Sequence, residues 1–80
     1  MKINQAIVLR ITELLSAKNM TKYRLAEESG VSHSQLAFIL KERNNSVDFK
    51  TVLKLAKGFG MTLQEFLACK YFEINKLDLD

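Results

Sequence analysis

Eighty residues, 48% of them apolar and 26% charged, suit one domain with a modest core and leave little room for a second. The formal net charge of +3 is unevenly spread, with eleven Lys/Arg against six Asp/Glu in residues 1–70, and Lys76 against Glu73, Asp78 and Asp80 in residues 71–80. That balance suits a polyanionic partner for the body but not for the tail. The lone Cys69 argues against an internal disulfide or a Cys/His metal cluster, and no apolar run has the length of a signal peptide or a membrane span.

With no proline, glycine only at 30, 58 and 60, and apolar residues at helical spacing almost throughout, the chain is expected to be all-α, with five helices. The first, near 4–18, places Ile7, Ile11, Leu14 and Leu15 inward and ends at Asn19. The next, near 21–29, opens on Thr21 with Met20 before it and Leu25 within it, a hydrophobic staple around a capping hydroxyl, and closes at Gly30. The device recurs at Ser32 with Val31 and Leu36 for a helix near 32–41, and at Asp48 with Val47 and Val52 for one near 48–59. It recurs again at Thr62 with Met61 and Phe66, opening a helix near 62–71 after Gly60. Ser32-His33-Ser34-Gln35 and Thr62-Leu63-Gln64-Glu65 also have the form of capping boxes. The domain proper is taken as 1–70 and the tail as 71–80. In the tail, Tyr71 and Ile74 continue a helical stripe, while Phe72/Ile74 and Leu77/Leu79 alternate as in a strand. A tail of this kind either folds back over its own core or forms a dimerisation extension with a second copy, and both readings stay open.

Residues 21–40 describe two short helices about a tight turn, with Val31, Leu36, Ile39 and Leu40 apolar on one side and His33, Ser34, Ala37 and Phe38 on the other. In Leu25-Ala26-x3-Gly30-Val31-Ser32, in Thr51-Val52-Leu53-Lys54-Leu55-Ala56-Lys57 and in the Gly60-Met61-Thr62-Leu63 junction, the chain resembles the phage repressor/Cro-like helix-turn-helix family over roughly residues 7–69. The resemblance implies a compact five-helix repressor-like domain whose third helix enters the major groove of double-stranded DNA. It puts His33, Ser34, Gln35 and Phe38 at base-contacting positions, and Thr21, Lys22, Arg43, Asn44 and Asn45 at phosphate-contacting ones. It also implies a buried helix-1 arginine paired with a helix-3 glutamate, but Leu15 and Leu40 stand at those two positions and are expected to meet in the core instead.

Each base-reading assignment has a plainer counterpart. His33 can be a solvated residue after a cap, Gln35 can be occupied by its capping box, and Phe38 can belong to the core rather than meet a thymine methyl. Lys22, Arg24, Lys41 and Arg43 cluster around the motif, whereas Lys50, Lys54 and Lys57 read as a solubilising face. With one histidine, no Gly-rich phosphate loop and no convergent carboxylates, neither an enzyme nor a bound cofactor or metal is expected. The expectation is a cytoplasmic, homodimeric transcriptional regulator, most simply a repressor. The competing one is a protein-interaction module on the same fold, such as the antitoxin of a toxin–antitoxin pair.

Overall fold

The computed structural model describes residues 1–41 and 47–79, and these form five α-helices: α1 (Ile3–Ala17), α2 (Lys22–Ser29), α3 (His33–Leu40), α4 (Phe49–Gly58) and α5 (Leu63–Leu67). Two single 3₁₀ turns, Lys70–Phe72 and Ile74–Lys76, follow. The helix starts are set by the side chains expected to cap them. Thr21, Ser32, Asp48 and Thr62 each accept a hydrogen bond from the amide three residues on, that of Arg24, Gln35, Thr51 and Glu65, at 2.9–3.1 Å. Asn19, Gly30 and Gly60 take positive φ of 52°, 78° and 69° where helices end.

Of the two capping boxes, only the one at Thr62 closes, its amide donating to Glu65 Oε1 at 2.8 Å. The box at Ser32 does not form, because Gln35 Nε2 turns instead to Thr51 Oγ1 at 3.4 Å, where the buried Thr51 side chain offers an acceptor on the neighbouring helix.

The core gathers Ile7 and Ile11 of α1, Leu25 of α2, Leu36 and Ile39 of α3, Leu55 of α4 and Phe66 of α5, with Leu15 and Leu40 half-buried at its margin. α2 lies directly on α4, and Gly58 is what lets it do so. A Cβ there would stand 2.7 Å from Ser29 Cβ and 3.0 Å from Ser29 Cα. The buried Ser29 hydroxyl then donates to the Ala26 carbonyl at 3.3 Å and accepts from the Val31 amide at 3.1 Å, so the turn between α2 and α3 carries its own polar clasp.

A helix-1 arginine is buried after all, at position 10 and not at 15, the position the resemblance singles out. Arg10 is 8% exposed; its Nε donates to the Phe66 carbonyl at 2.7 Å, Nη2 to the Glu65 carbonyl at 2.8 Å and Nη1 to Glu13 Oε1 at 2.8 Å. In a longer helix those two carbonyls would accept from the amides of Cys69 and Lys70. With the guanidinium on them, α5 ends at Leu67 rather than 71, and Cys69 is fully extended at φ −155°. The chain then lays Phe72 beside Phe66, ring centroids 6.1 Å apart, and brings the Tyr71 hydroxyl to Glu13 Oε2 at 3.3 Å. Partial burial and the Glu13 carboxylate push the Tyr71 phenol above its ordinary pKa. The tail is thus neither added helix nor free strand. It runs back to the N-terminus, where the Asp78 amide donates to the Met1 carbonyl at 2.7 Å and Lys2 and Asp78 form an isolated parallel bridge.

Arg10→Met should lower the unfolding free energy by about 2–4 kcal/mol in urea titrations, since two inward carbonyls and Glu13 lose a charged donor. A second expectation concerns acid. Hydrogen bonds from Thr51 hold the Asp48 carboxyl below its ordinary range, and those from Thr62 do the same for Glu65. Depressed carboxylate pKa values contribute stability that is fully present above the unfolded pKa, about 4, and lost as pH falls through the lowered folded values. Melting temperature should therefore hold level from neutral pH down to about 5 and drop below about 4, with a flatter acid limb in Asp48→Asn/Glu65→Gln.

Candidate nucleic-acid interface

The exposed side of α3 is built by subtraction. Leu36 and Ile39 are buried, Leu40 is half-buried, and the helix is left with His33, Ser34, Phe38 and Lys41 facing outward and Ala37 half-exposed between them. Phe38 is 53% exposed, so it is not a core residue, although Ile39, next to it in the sequence, is buried. Ser32, the cap, has its hydroxyl 3.4 Å from that of Ser34.

α2 brings its first turn alongside. Thr21 and Lys22 are both exposed, and Lys22, Tyr23, His33, Ser34, Leu36 and Ala37 line a cleft between the two helix starts. Ser34 and Ala37 also line a second hollow with Phe38 and Lys41, so the two run together along α3. Within the first, the rings of Tyr23 and His33 lie 5.6 Å apart and tilted by 46°, and Lys22 Nζ lies 5.6 Å from the Tyr23 ring centre. The structure therefore brings Lys22, His33, Ser34 and Phe38 to one surface, whereas Thr21, exposed next to Lys22, lines a separate hollow with Lys18, Arg24 and Lys57. Gln35 stands beside it with one amide hydrogen turned to Thr51. Arg43, Asn44 and Asn45, together with Glu42, lie outside the described residues.

Arg24 differs from the other cations around the motif. Its Nε meets Glu28 Oε1 at 2.8 Å, an exposed i,i+4 pair legible in the spacing, so its charge is already matched. Tyr23 is the residue that the sequence reading passed over. Its only sequence signal was an aromatic one place into a helix whose apolar face lies elsewhere. Among the described residues no group of three His, Cys, Asp or Glu side chains is placed to hold a metal ion, and no helix is long and apolar enough to cross a membrane.

Residues 10–73 match the family model of the Cro/C1-type HTH DNA-binding domain, a match that takes in the Arg10 contact, both helices of the motif and Phe72. No curated protein and no solved structure matches the chain.

Because their side chains face solvent, His33→Ala, Ser34→Ala and Phe38→Ala should each change the unfolding free energy by less than about 0.5 kcal/mol, measured by denaturant titration. A larger loss in any of them would place that side chain in the packing instead.

Proposed function

The chain belongs to the Cro/C1-type HTH DNA-binding domain family, and on that footing we propose that it is a sequence-specific, double-stranded-DNA-binding transcriptional regulator, a repressor of the cytoplasm. The observation that carries the reading is the continuous outer face of α3, with His33, Ser34 and Phe38 beside Lys22 at the start of α2. A helix start that is polar, aromatic and flanked by cations is matched to a groove floor of base edges between phosphate walls. His33 and Ser34 hydrogen-bond base edges from the first turn, Gln35 adds its remaining amide hydrogen and carbonyl, and Phe38 meets a thymine methyl. Thr21 and Lys22 hold phosphates, as do Arg43, Asn44 and Asn45 from the segment after α3. Such a regulator represses by occupying its site, with no catalytic step.

Two half-sites about 34 Å apart are the usual target of such domains, which calls for a two-fold homodimer. We place its contact at the joined termini, where Met1, Ile3, Ile74 and Leu79 are 47%, 43%, 72% and 61% exposed. These apolar side chains stand beside Lys2, Glu73, Lys76 and Asp78, a set of charges that a two-fold copy can complement.

Binding to a duplex selected from a randomised library tests the assignment. His33→Ala or Ser34→Ala should change base preference at one or two positions by about 1–3 kcal/mol each. Lys22→Ala should weaken all sequences alike and lower the slope of log affinity against log salt by about one unit. A protein-interaction module would show no such salt slope, whereas binding through 6–10 phosphates weakens about 10³–10⁵-fold between 50 and 200 mM salt. For the dimer, sedimentation at micromolar concentration should give a two-fold species that Ile74→Glu/Leu79→Glu converts to monomer without lowering the melting temperature. A monomeric parent chain would remove the contact.

A further inference from the structure

Tyr23 has no account in the packing. It is the second residue of α2 and 62% exposed, so core burial does not explain a ring of this size there. What it touches is His33, across the gap between the two helix starts, with ring centroids 5.6 Å apart. The contact joins two rigid bodies. Gly30 closes α2 in the left-handed conformation, the Ser29 hydroxyl ties the Ala26 carbonyl to the Val31 amide, and Leu25 and Leu36 are fully buried beneath. The distance between the first turns of α2 and α3 is therefore set by backbone and core.

An imidazole on an exposed first helical turn turns freely about two bonds, and ordering it against a base edge costs rotamer entropy at binding. A ring already resting against it removes part of that cost and decides which nitrogen faces outward. We infer that Tyr23 is a positioning residue that holds the His33 ring for one base pair, so that selectivity there belongs to the pair of rings and not to His33 alone. The inference rests on the DNA-binding reading above and adds to it a residue outside the contacting set. Lys22 also lies against the Tyr23 ring, so Tyr23 has a second route of action, through a phosphate-holding cation. The two routes differ in their signature: orienting His33 alters preference at a single base pair, whereas orienting Lys22 alters affinity for every sequence.

The test uses the full chain and the duplex it enriches from a randomised library. Affinities for that duplex and for each of its single-base-pair variants are measured for the parent chain, Tyr23→Ala, Tyr23→Phe, His33→Ala and the double variant Tyr23→Ala/His33→Ala. Tyr23→Ala should lose about tenfold in discrimination at the base pair that His33→Ala also relaxes, a loss of the size of one good base contact. The double variant should be no worse than His33→Ala, as expected of coupled residues. Tyr23→Phe keeps the ring and should keep the preference. In the free protein the His33 ring-proton resonances should shift in Tyr23→Ala and stay in place in Tyr23→Phe. Relaxation at a different base pair, additive losses, or a uniform loss at all sequences would overturn the positioning role while leaving DNA binding intact. Failure of the parent chain to enrich any duplex would overturn the DNA-binding reading, and this inference with it.

Discussion

The Arg10 guanidinium lies in the seam between α1 and α5, with three of its nitrogens committed: to the carbonyls of Glu65 and Phe66 and to the carboxylate of Glu13. A cation buried this deeply is tolerable only when its donors are met, and here no described buried side-chain nitrogen or oxygen is left without a partner. The partners were available because a helix C-terminus carries carbonyls that its own backbone cannot satisfy. From that one contact follow the end of α5, the turn at Cys69 and the return of the chain across α1. Phe72 and Tyr71 are laid on the body as a consequence, and both termini come together at Lys2 and Asp78. Glu13 serves both sides of the arrangement, accepting from Arg10 through one oxygen and from Tyr71 through the other.

A different constraint sets the candidate interface. The exposed surface shared by α2 and α3 exists because the two helices diverge from a turn whose geometry is fixed at Gly30 and Ser29, and because α2 is seated on α4 through the missing side chain of Gly58. A larger residue at 58 would meet the backbone of α2 at Ser29, and the start of α2, with Thr21 and Lys22, would move relative to α3. Positioning of the candidate face is thus delegated to residues that never reach it. The face itself is left open, with Phe38, Tyr23 and His33 exposed and few side-chain hydrogen bonds among them. That is how a surface selected for a partner, and not for the fold, is expected to look.

Charge is arranged on the same principle. Arg24 spends its charge on Glu28, Glu65 on the cap of α5, and Asp48 on the cap of α4, all within a few residues of themselves. Among the described residues Lys22 has no carboxylate partner and lies against the face of Tyr23, which leaves its ammonium available to an anion. An exposed pair such as Arg24–Glu28 contributes little to stability, about 0.3–0.5 kcal/mol for this spacing, so its effect is chiefly to remove one cation from the surface field.

Much of this was legible in the residues themselves. The helix starts at Thr21, Ser32, Asp48 and Thr62, the ends at Asn19, Gly30 and Gly60, and the outward placement of His33, Ser34 and Phe38 follow from local rules that act within a turn or two of chain. The family resemblance follows from the same spacing. Contacts between distant segments were not legible. Arg10 sits at i+3 from Ile7 on the apolar face of the first helix, a sign that it is buried, but nothing local says that its partners are carbonyls more than fifty residues away. Gln35 had a local partner in Ser32 and took a remote one in Thr51. Gly58 reads as an ordinary helix residue until another helix is laid on it, and Tyr23 as an exposed aromatic until α3 stands beside it. Periodicity and capping are properties of neighbours in sequence, so the sequence alone determined where the helices start and which faces they turn outward, but not where α5 ends. Which carbonyl meets which cation, and which ring meets which ring, depends on how those elements pack, and only the tertiary structure decided it.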